Sequence, residues 1–291
     1  MTVHGPADGW VEGPGGQRFW GRAGAAGLLA VDAGRVLLQH RVAWSHFGGT
    51  WGLPGGARDV GESAVEGALR ESAEEAAVPP DALEVAFTSV LDLGFWSYTT
   101  VVARVTRAFE PVISDAESTE LAWVPVDQVD RLPLHPGLAA SWPVLRAQLD
   151  RRLRLVVDVA NVVGSRPDGW WRDRAGATDR LLDAVERAGA EGWPARWFGL
   201  EAEGPGAPTL VRAPVTAVVE GEARRVGDRS ALVTVERASA DGDAAIVAVV
   251  RGASEQVAVV TADRGLAERV RAEGAVVLAP SALLGLLDDD R

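Results

Sequence analysis

The strongest constraint on this chain is the stretch Gly56–Val78, where a glycine-rich loop runs into a helix-forming segment that carries three carboxylates in one turn. Glu71, Glu74 and Glu75 stand at i, i+3 and i+4, the spacing that puts side chains on one helix face. Carboxylates held that close repel one another unless a cation lies among them. A hard divalent ion is the ordinary solution, because it takes oxygen ligands and favours phosphate substrates. The helix has clear local signals. Ser63 and Glu66 have the spacing of a capping box, alanines and Leu69 fill the interior, and Pro79-Pro80 stops it. Just upstream, Trp51-Gly-Leu-Pro-Gly-Gly56 is a run whose backbone can approach a ligand closely. The plain alternative is a solvated acidic helix behind a loop.

The stretch resembles the Nudix box of hydrolases acting on nucleoside-diphosphate-linked substrates. That pattern is G, five residues, E, seven residues, R-E, an apolar residue, any residue, E-E, any residue, G, an apolar residue. Gly56, Glu62, Arg70, Glu71, Glu74, Glu75 and Val78 match in register. Ser72 replaces the usual aliphatic residue and Ala77 the usual glycine. The resemblance implies a Nudix α/β/α sandwich over about residues 20–150 and an Mg²⁺-dependent pyrophosphohydrolase, with Mn²⁺ as the alternative ion. It implies that Glu71, Glu74 and Glu75 are catalytic and bind metal. It also implies that Gly56 lends a backbone carbonyl to the metal, and that Glu62 and Arg70 pair structurally. Nudix enzymes often draw a further carboxylate from a later loop. Glu117 and Glu120 precede the apolar run at Leu121, and Glu120, which abuts that run, is the preferred catalytic candidate.

A length of 291 residues suggests about two domains. The absence of cysteine excludes disulfides, thiolate zinc sites and cysteine nucleophiles. No signal peptide and no membrane-spanning run is evident, so a cytoplasmic protein without a membrane partner is expected. All 29 basic residues are arginine, which fits a high-GC bacterial genome. Net charge is −12; residues 1–150 hold 10 arginines against 19 acids, and the remainder 19 against 22. Neither half has the basic balance of a general nucleic-acid binder. Oligomeric state is not legible.

Residues 1–22 read as a hairpin extension, Trp10–Glu12 and Arg18–Trp20 around Gly13-Pro14-Gly15-Gly16, expected to pack on the domain that follows; base stacking is the alternative. Residues 23–150 are the expected Nudix domain. Ala26–Val31 and Val36–Leu38 flank a tight turn. His40–Trp51 is a polar-aromatic loop suited to a base and phosphates, with Arg41 and Trp51 as candidate substrate contacts and His46 as a surface residue. Strands are expected at Leu83–Leu93, Ser97–Arg107 and Leu121–Val126, then a final helix near Leu138–Leu153.

Residues 152–291 repeat short β and α elements. The strand candidates are Leu153–Val159, Val215–Val219, Leu232–Val235, Val257–Thr261 and Val276–Leu278. This alternation predicts a parallel sheet with crossover helices, and ligands gather at the carboxyl ends of such strands. Asp158, Asn161, Asp241, Asp243 and Asp263 fall at those ends, an oxygen-rich set suited to Mg²⁺ or Mn²⁺. This half resembles NYN/PIN-like nucleases through Asp158-x-x-Asn161, Asp243 before an apolar helix, and Thr261-x-Asp263. The resemblance implies metal binding by Asp158, Asp243 and Asp263, substrate contact by Asn161, and RNA as cleaved or bound partner. Helix capping by Asp and Asn is the plain alternative. Trp170-Trp171 beside Arg172 and Arg174 could stack a base or plug the packing. For the whole protein the competing class is a nucleotide sensor that binds without turnover, against which the intact carboxylate set argues.

Overall fold

The computed structural model describes residues 7, 9–166, 169–200 and 202–289. It divides into two compact units, Met1–Leu149 with Ala202–Thr209, and Asp150–Glu201 with Leu210–Arg291.

The first unit opens with an antiparallel hairpin of β1 (Trp10–Glu12) and β2 (Arg18–Trp20). Its central sheet runs β7 (Leu83–Asp92), β8 (Ser97–Val105), β3 (Ala25–Asp32), β4 (Arg35–Arg41), β5 (Trp51–Gly52). β6 (Gly55–Ala57) also pairs with β3, and β9 (Ser118–Pro125) with β4. β3 and β8 are parallel, whereas β3–β4, β4–β9 and β7–β8 are antiparallel. β3 is buried from Ala25 to Ala30 without alternation, the mark of a strand covered on both faces. On one face α1 (Ala64–Ala76) lays Ala68 and Ala76 on Ala26, Leu28, Ala30, Val101 and Ala103. Small residues on both sides bring the helix close to the sheet, so carboxylates on its flank lie near strand backbone. α2 (Pro136–Arg146) adds the buried Leu138, Trp142 and Leu145. It is shorter than the expected Leu138–Leu153, because Leu153 already opens a strand. β9 begins at Ser118, so Glu120 sits inside a strand rather than in the loop before it.

The second unit is an all-parallel five-stranded sheet in the order β14 (Val233–Arg237), β13 (Val215–Val219), β10 (Leu153–Asp158), β15 (Gln256–Val260), β16 (Val276–Leu278). β11 (Trp193–Pro194) and β12 (Leu210–Val211) pair antiparallel. The helices are α3 (Val159–Gly164), α4 (Arg174–Glu191), α5 (Gly242–Gly252), α6 (Arg264–Ala272) and α7 (Pro280–Asp289). Val156 of β10 and Val257 and Val259 of β15 are buried against Ile246, Val250, Leu266 and Val270 of α5 and α6. No helix is long and apolar enough to cross a membrane among the described residues.

The capping box of α1 forms both ways: Ser63 N–H donates to Glu66 Oε2 at 2.9 Å, and Glu66 N–H to Ser63 Oγ at 3.2 Å. Its C-terminus departs from the helix through Ala77 at φ 51°, ψ 33°, the left-handed conformation that glycine adopts freely. Ala77 therefore carries strain of about 1 kcal/mol. Ser72, the other departure from the family pattern, is buried with its hydroxyl donating to Leu69 O at 3.0 Å. Ala77→Gly is expected to stabilise the first unit by about 1 kcal/mol, measured as slower amide exchange over the last turn of α1; faster exchange would contradict this account.

Candidate functional site

The loop before α1 is tied to the helix by one arginine. Arg70 Nε and Nη2 donate to the two oxygens of Glu62 at 2.9 and 3.0 Å, and Nη2 also reaches Ala57 O at 3.0 Å. Arg70 Nη1 donates to Glu71 Oε1 at 2.8 Å. A bidentate arginine–carboxylate pair has fixed geometry as well as charge, so Glu62 and Arg70 set where Glu71 lies. That carboxylate rests against Gly56: a Cβ there would come within 2.7 Å of Glu71 Oε2.

Glu75 has a different environment. It is 7% exposed, and its Oε2 accepts from Gly55 N–H at 2.9 Å and Gln39 Nε2 at 3.3 Å. Gly55 presents that N–H at φ 156°, where a Cβ would meet Ala26 O at 2.3 Å. Burial pushes Glu75 up to about 8; the Gly55 hydrogen bond opposes the shift, and the charges of Glu71, Asp115 and Glu117 add to it. Ligand oxygens of Glu75, Asp115 and Glu117 lie within 4.8 Å of one another, the one such set of acidic or histidine groups among the described residues. The loop bearing Asp115 and Glu117 is fastened to the end of α1, since Val112 N–H donates to Ala76 O and Ser114 N–H to Glu75 O.

The three box carboxylates therefore occupy three environments rather than one cage. Glu71 is held by Arg70, Glu75 faces the later loop, and Glu74 is 63% exposed with Arg70 Nη1 at 3.5 Å. Glu120 lies opposite His40 in the β4–β9 pairing and is exposed, outside the Glu75 group; Glu117 occupies that place. Asp115 and Gln39 were not singled out from the sequence. A buried glutamine in a strand gives no sequence signal, whereas the acids two apart at 115 and 117 do. The set is fit for a hard divalent cation: its donors are carboxylate oxygens, its buried member lies among anions, and the buried Gln39 Oε1 beside it has no hydrogen-bond partner.

β4 leads from this group to a basic and aromatic rim. Gln39 and Arg41 alternate on one strand face. Arg41 Nε donates to His46 O at 3.2 Å. Trp51 is only 9% exposed and packs on His40 with ring centroids 5.0 Å apart, so it supports the rim. The exposed aromatics of the loop are Trp44 and Phe47. Phe47 meets His46 at 4.2 Å and His135, a residue not singled out from sequence, at 4.8 Å. His135 caps α2, its Nδ1 accepting from Gly137 N–H at 3.1 Å, which leaves the proton of the neutral ring on Nε2. Burial pushes His135 down to about 4, and Arg41 and His46 add to the shift. Burial, then Arg41 and Arg18, lowers His46.

In the second unit each expected acid has a structural partner. Asp158 Oδ1 caps α3 by accepting from Asn161 N–H, and its Oδ2 accepts from Thr261 Oγ at 2.8 Å. Asn161 Oδ1 accepts from Ala262 N–H at 2.9 Å, Asp263 caps α6, and Asp241 caps α5. Asp243 pairs with Arg269. Burial raises Asp158; its hydrogen bonds oppose the shift, and Asp243 and Glu220 add to it. Trp171 is exposed, and Arg174 lies over the Trp170 ring at 5.2 Å.

The NUDIX domain family model matches residues 21–147. A Mycobacterium tuberculosis protein provisionally named 8-oxo-dGTP diphosphatase 3 is 51% identical over 156 residues, half of this chain and 71% of its own length. A Bifidobacterium longum nucleoside triphosphate pyrophosphatase/Nudix hydrolase fusion protein is 45% identical over 51% of this chain and 33% of its own length. The solved Nudix hydrolase RenU of M. smegmatis is 50% identical, covering 48% of this chain and 93% of its own, with a TM-score of 0.45.

The His135 environment has a measurable consequence. With its folded value near 4, below the ordinary 6.5, the imidazole contributes full stability above pH 6.5 and loses it as pH falls toward 4. Imidazole NMR is expected to show His135 neutral at pH 5.5; titration near 6.5 would overturn the assignment.

Proposed function

Because this chain belongs to the Nudix family, we propose that its first unit hydrolyses a phosphoric anhydride bond of a nucleoside polyphosphate, with oxidised purine triphosphates such as 8-oxo-dGTP the first substrates to test. The observation that carries this reading is Glu75, buried, facing Asp115 and Glu117, and raised to about 8. Glu75, Asp115 and Glu117, with Glu71 beside them, would hold Mg²⁺ or Mn²⁺, and the ion would supply positive charge against a phosphate chain and a more acidic bound water. Glu75 Oε2, fixed by the Gly55 N–H and the Gln39 amide, would be one of the oxygens that hold the ion, whose charge would favour the ionised carboxylate. Glu74, exposed at the rim of the same helix, completes the acidic face. Arg41 and the loop through Phe47 offer guanidinium and aromatic surface to the nucleotide. The choice of substrate follows the name of the M. tuberculosis relative, and a panel of nucleotides with Mg²⁺ tests it.

A second reading concerns the second unit. Asp158 is buried at the carboxyl edge of a parallel sheet, within electrostatic reach of Asp243 and Glu220, which supports a metal-dependent nuclease of the NYN/PIN kind. Its hydrogen bonds to the α3 cap and Thr261, and the Arg269–Asp243 pair, equally suit a sheet edge that only binds or braces.

Glu75→Gln is expected to lower kcat by at least about a hundredfold with an unchanged near-UV circular dichroism spectrum; near-wild-type hydrolysis would sink the catalytic role. Full-length protein with RNA and Mn²⁺ should yield cleavage that Asp158→Asn abolishes; equal product from both would remove the nuclease reading.

A further inference from the structure

The hairpin β1–β2 lies outside the residues that the family model matches, apart from which it has no assigned role. Its contacts bracket the rim of the first unit. On one side Phe19 packs on Phe95 and Trp96, with centroids 5.6 and 4.7 Å apart, and Trp96 Nε1 donates to Trp20 O at 3.0 Å. On the other, Trp10 meets His46 of the β4–β5 loop edge-on at 5.4 Å. Arg18 lies over the Trp10 ring at 4.8 Å. The hairpin is thus pinned to the turn between β7 and β8 and to the loop that carries His46.

The arginines of the first unit divide into those that meet a carboxylate and those that do not. Residues 1–150 hold 19 acids and 10 arginines. Arg35, Arg70, Arg107 and Arg146 each meet a carboxylate. Among the described residues Arg18 and Arg41 form no ion pair, although both act on the same imidazole, His46. His135, neutral with its proton on Nε2, adds a neutral donor to the two charged ones. Arg41 also shares a strand face with Gln39, the partner of Glu75, and both Arg41 and Glu75 act on Tyr98. Glu12 stands opposite Arg18 in the β1–β2 pairing but forms no ion pair with it, so two guanidinium groups outside ion pairs adjoin a set of anions that needs a cation, an anion subsite next to a cation subsite.

We propose that the hairpin is a working part of the substrate site, in which Arg18 and Arg41 together hold a phosphate group of the nucleotide that lies away from Glu75, Asp115 and Glu117. This rests on the hydrolase reading for the identity of the ligand, though not for the binding of phosphate itself. Arg18 contributes through its charge, and Trp10 fixes the guanidinium by covering one of its faces. The positive charge of the subsite comes from the two guanidinium groups.

The probe is inorganic tripolyphosphate, titrated calorimetrically into the full chain in EDTA, so that no divalent ion contributes. Wild type and Glu75→Gln are expected to bind it with equal affinity. Arg18→Gln and Arg41→Gln should each weaken binding at least tenfold, and Arg18→Lys should retain most of it. In the Mg²⁺-dependent reaction Arg18→Gln should raise KM about tenfold with kcat within twofold. Tripolyphosphate binding by Arg18→Gln equal to wild type, with an unchanged near-UV spectrum, overturns the proposal, as does a wild type that binds no tripolyphosphate. If Arg18→Gln disturbs that spectrum, Arg18→Lys decides: an intact fold with binding lost tenfold or more also overturns it, and binding retained supports it. Failure of the hydrolase reading looks different, with tripolyphosphate bound through Arg18 and no nucleotide cleaved.

Discussion

A carboxylate buried among other carboxylates is the constraint around which the first unit is arranged. Glu75 cannot be ionised cheaply where it lies, because desolvation and three neighbouring anions all oppose the charge. The fold answers with a backbone N–H from Gly55, an amide from Gln39 and a layout that invites a cation. Each answer has its own cost. Gly55 must be glycine because the strand beside it leaves no room for a Cβ. Gln39 must be fully buried, which leaves its own carbonyl oxygen unpartnered. Arg70 must hold Glu71 and Glu62 at once, so that the loop does not move away from the helix. Stability is given up locally to create a place that suits a positive charge.

Much of this was legible in the sequence because it is local. A capping box, an i, i+3, i+4 triplet and a proline stop depend only on residues a few positions apart, and α1 follows from them. The tight turn at Ala33-Gly34 and the strands on either side were equally plain. The sharing of labour among the carboxylates was not. Spacing puts Glu71, Glu74 and Glu75 on one face, and it cannot say that Arg70 takes up the first while a loop forty residues later meets the third. In sequence, adjoining an apolar run makes Glu120 a better candidate than Glu117. The strand begins at Ser118 instead, and an extra residue of β9 at the His40–Arg41 step shifts the pairing there. His135 gave no signal, since a cap formed by an imidazole looks in sequence like any histidine before Pro136 and Gly137.

The two units use acids in contrasting ways. In the first, carboxylates are pressed together with few donors to satisfy them. In the second, Asp158, Asp241 and Asp263 each begin a helix by accepting a backbone N–H, and Asp243 is met by Arg269. Motif spacing alone does not separate these uses, because a parallel sheet sends every strand end toward a helix start and makes Asp and Asn frequent there for capping alone.

The line between the units is not a line in the sequence. Residues Ala202–Thr209 belong to the first unit, where Thr209 N–H donates to Thr88 O at 2.7 Å and its hydroxyl accepts from Val90 N–H at 3.1 Å. The polypeptide leaves that unit after Leu149, builds part of the second, and returns for eight residues before completing it. A ribosome that has made the whole family-matched segment has therefore not finished the first unit. Truncation near residue 150 would strip a stitch from β7.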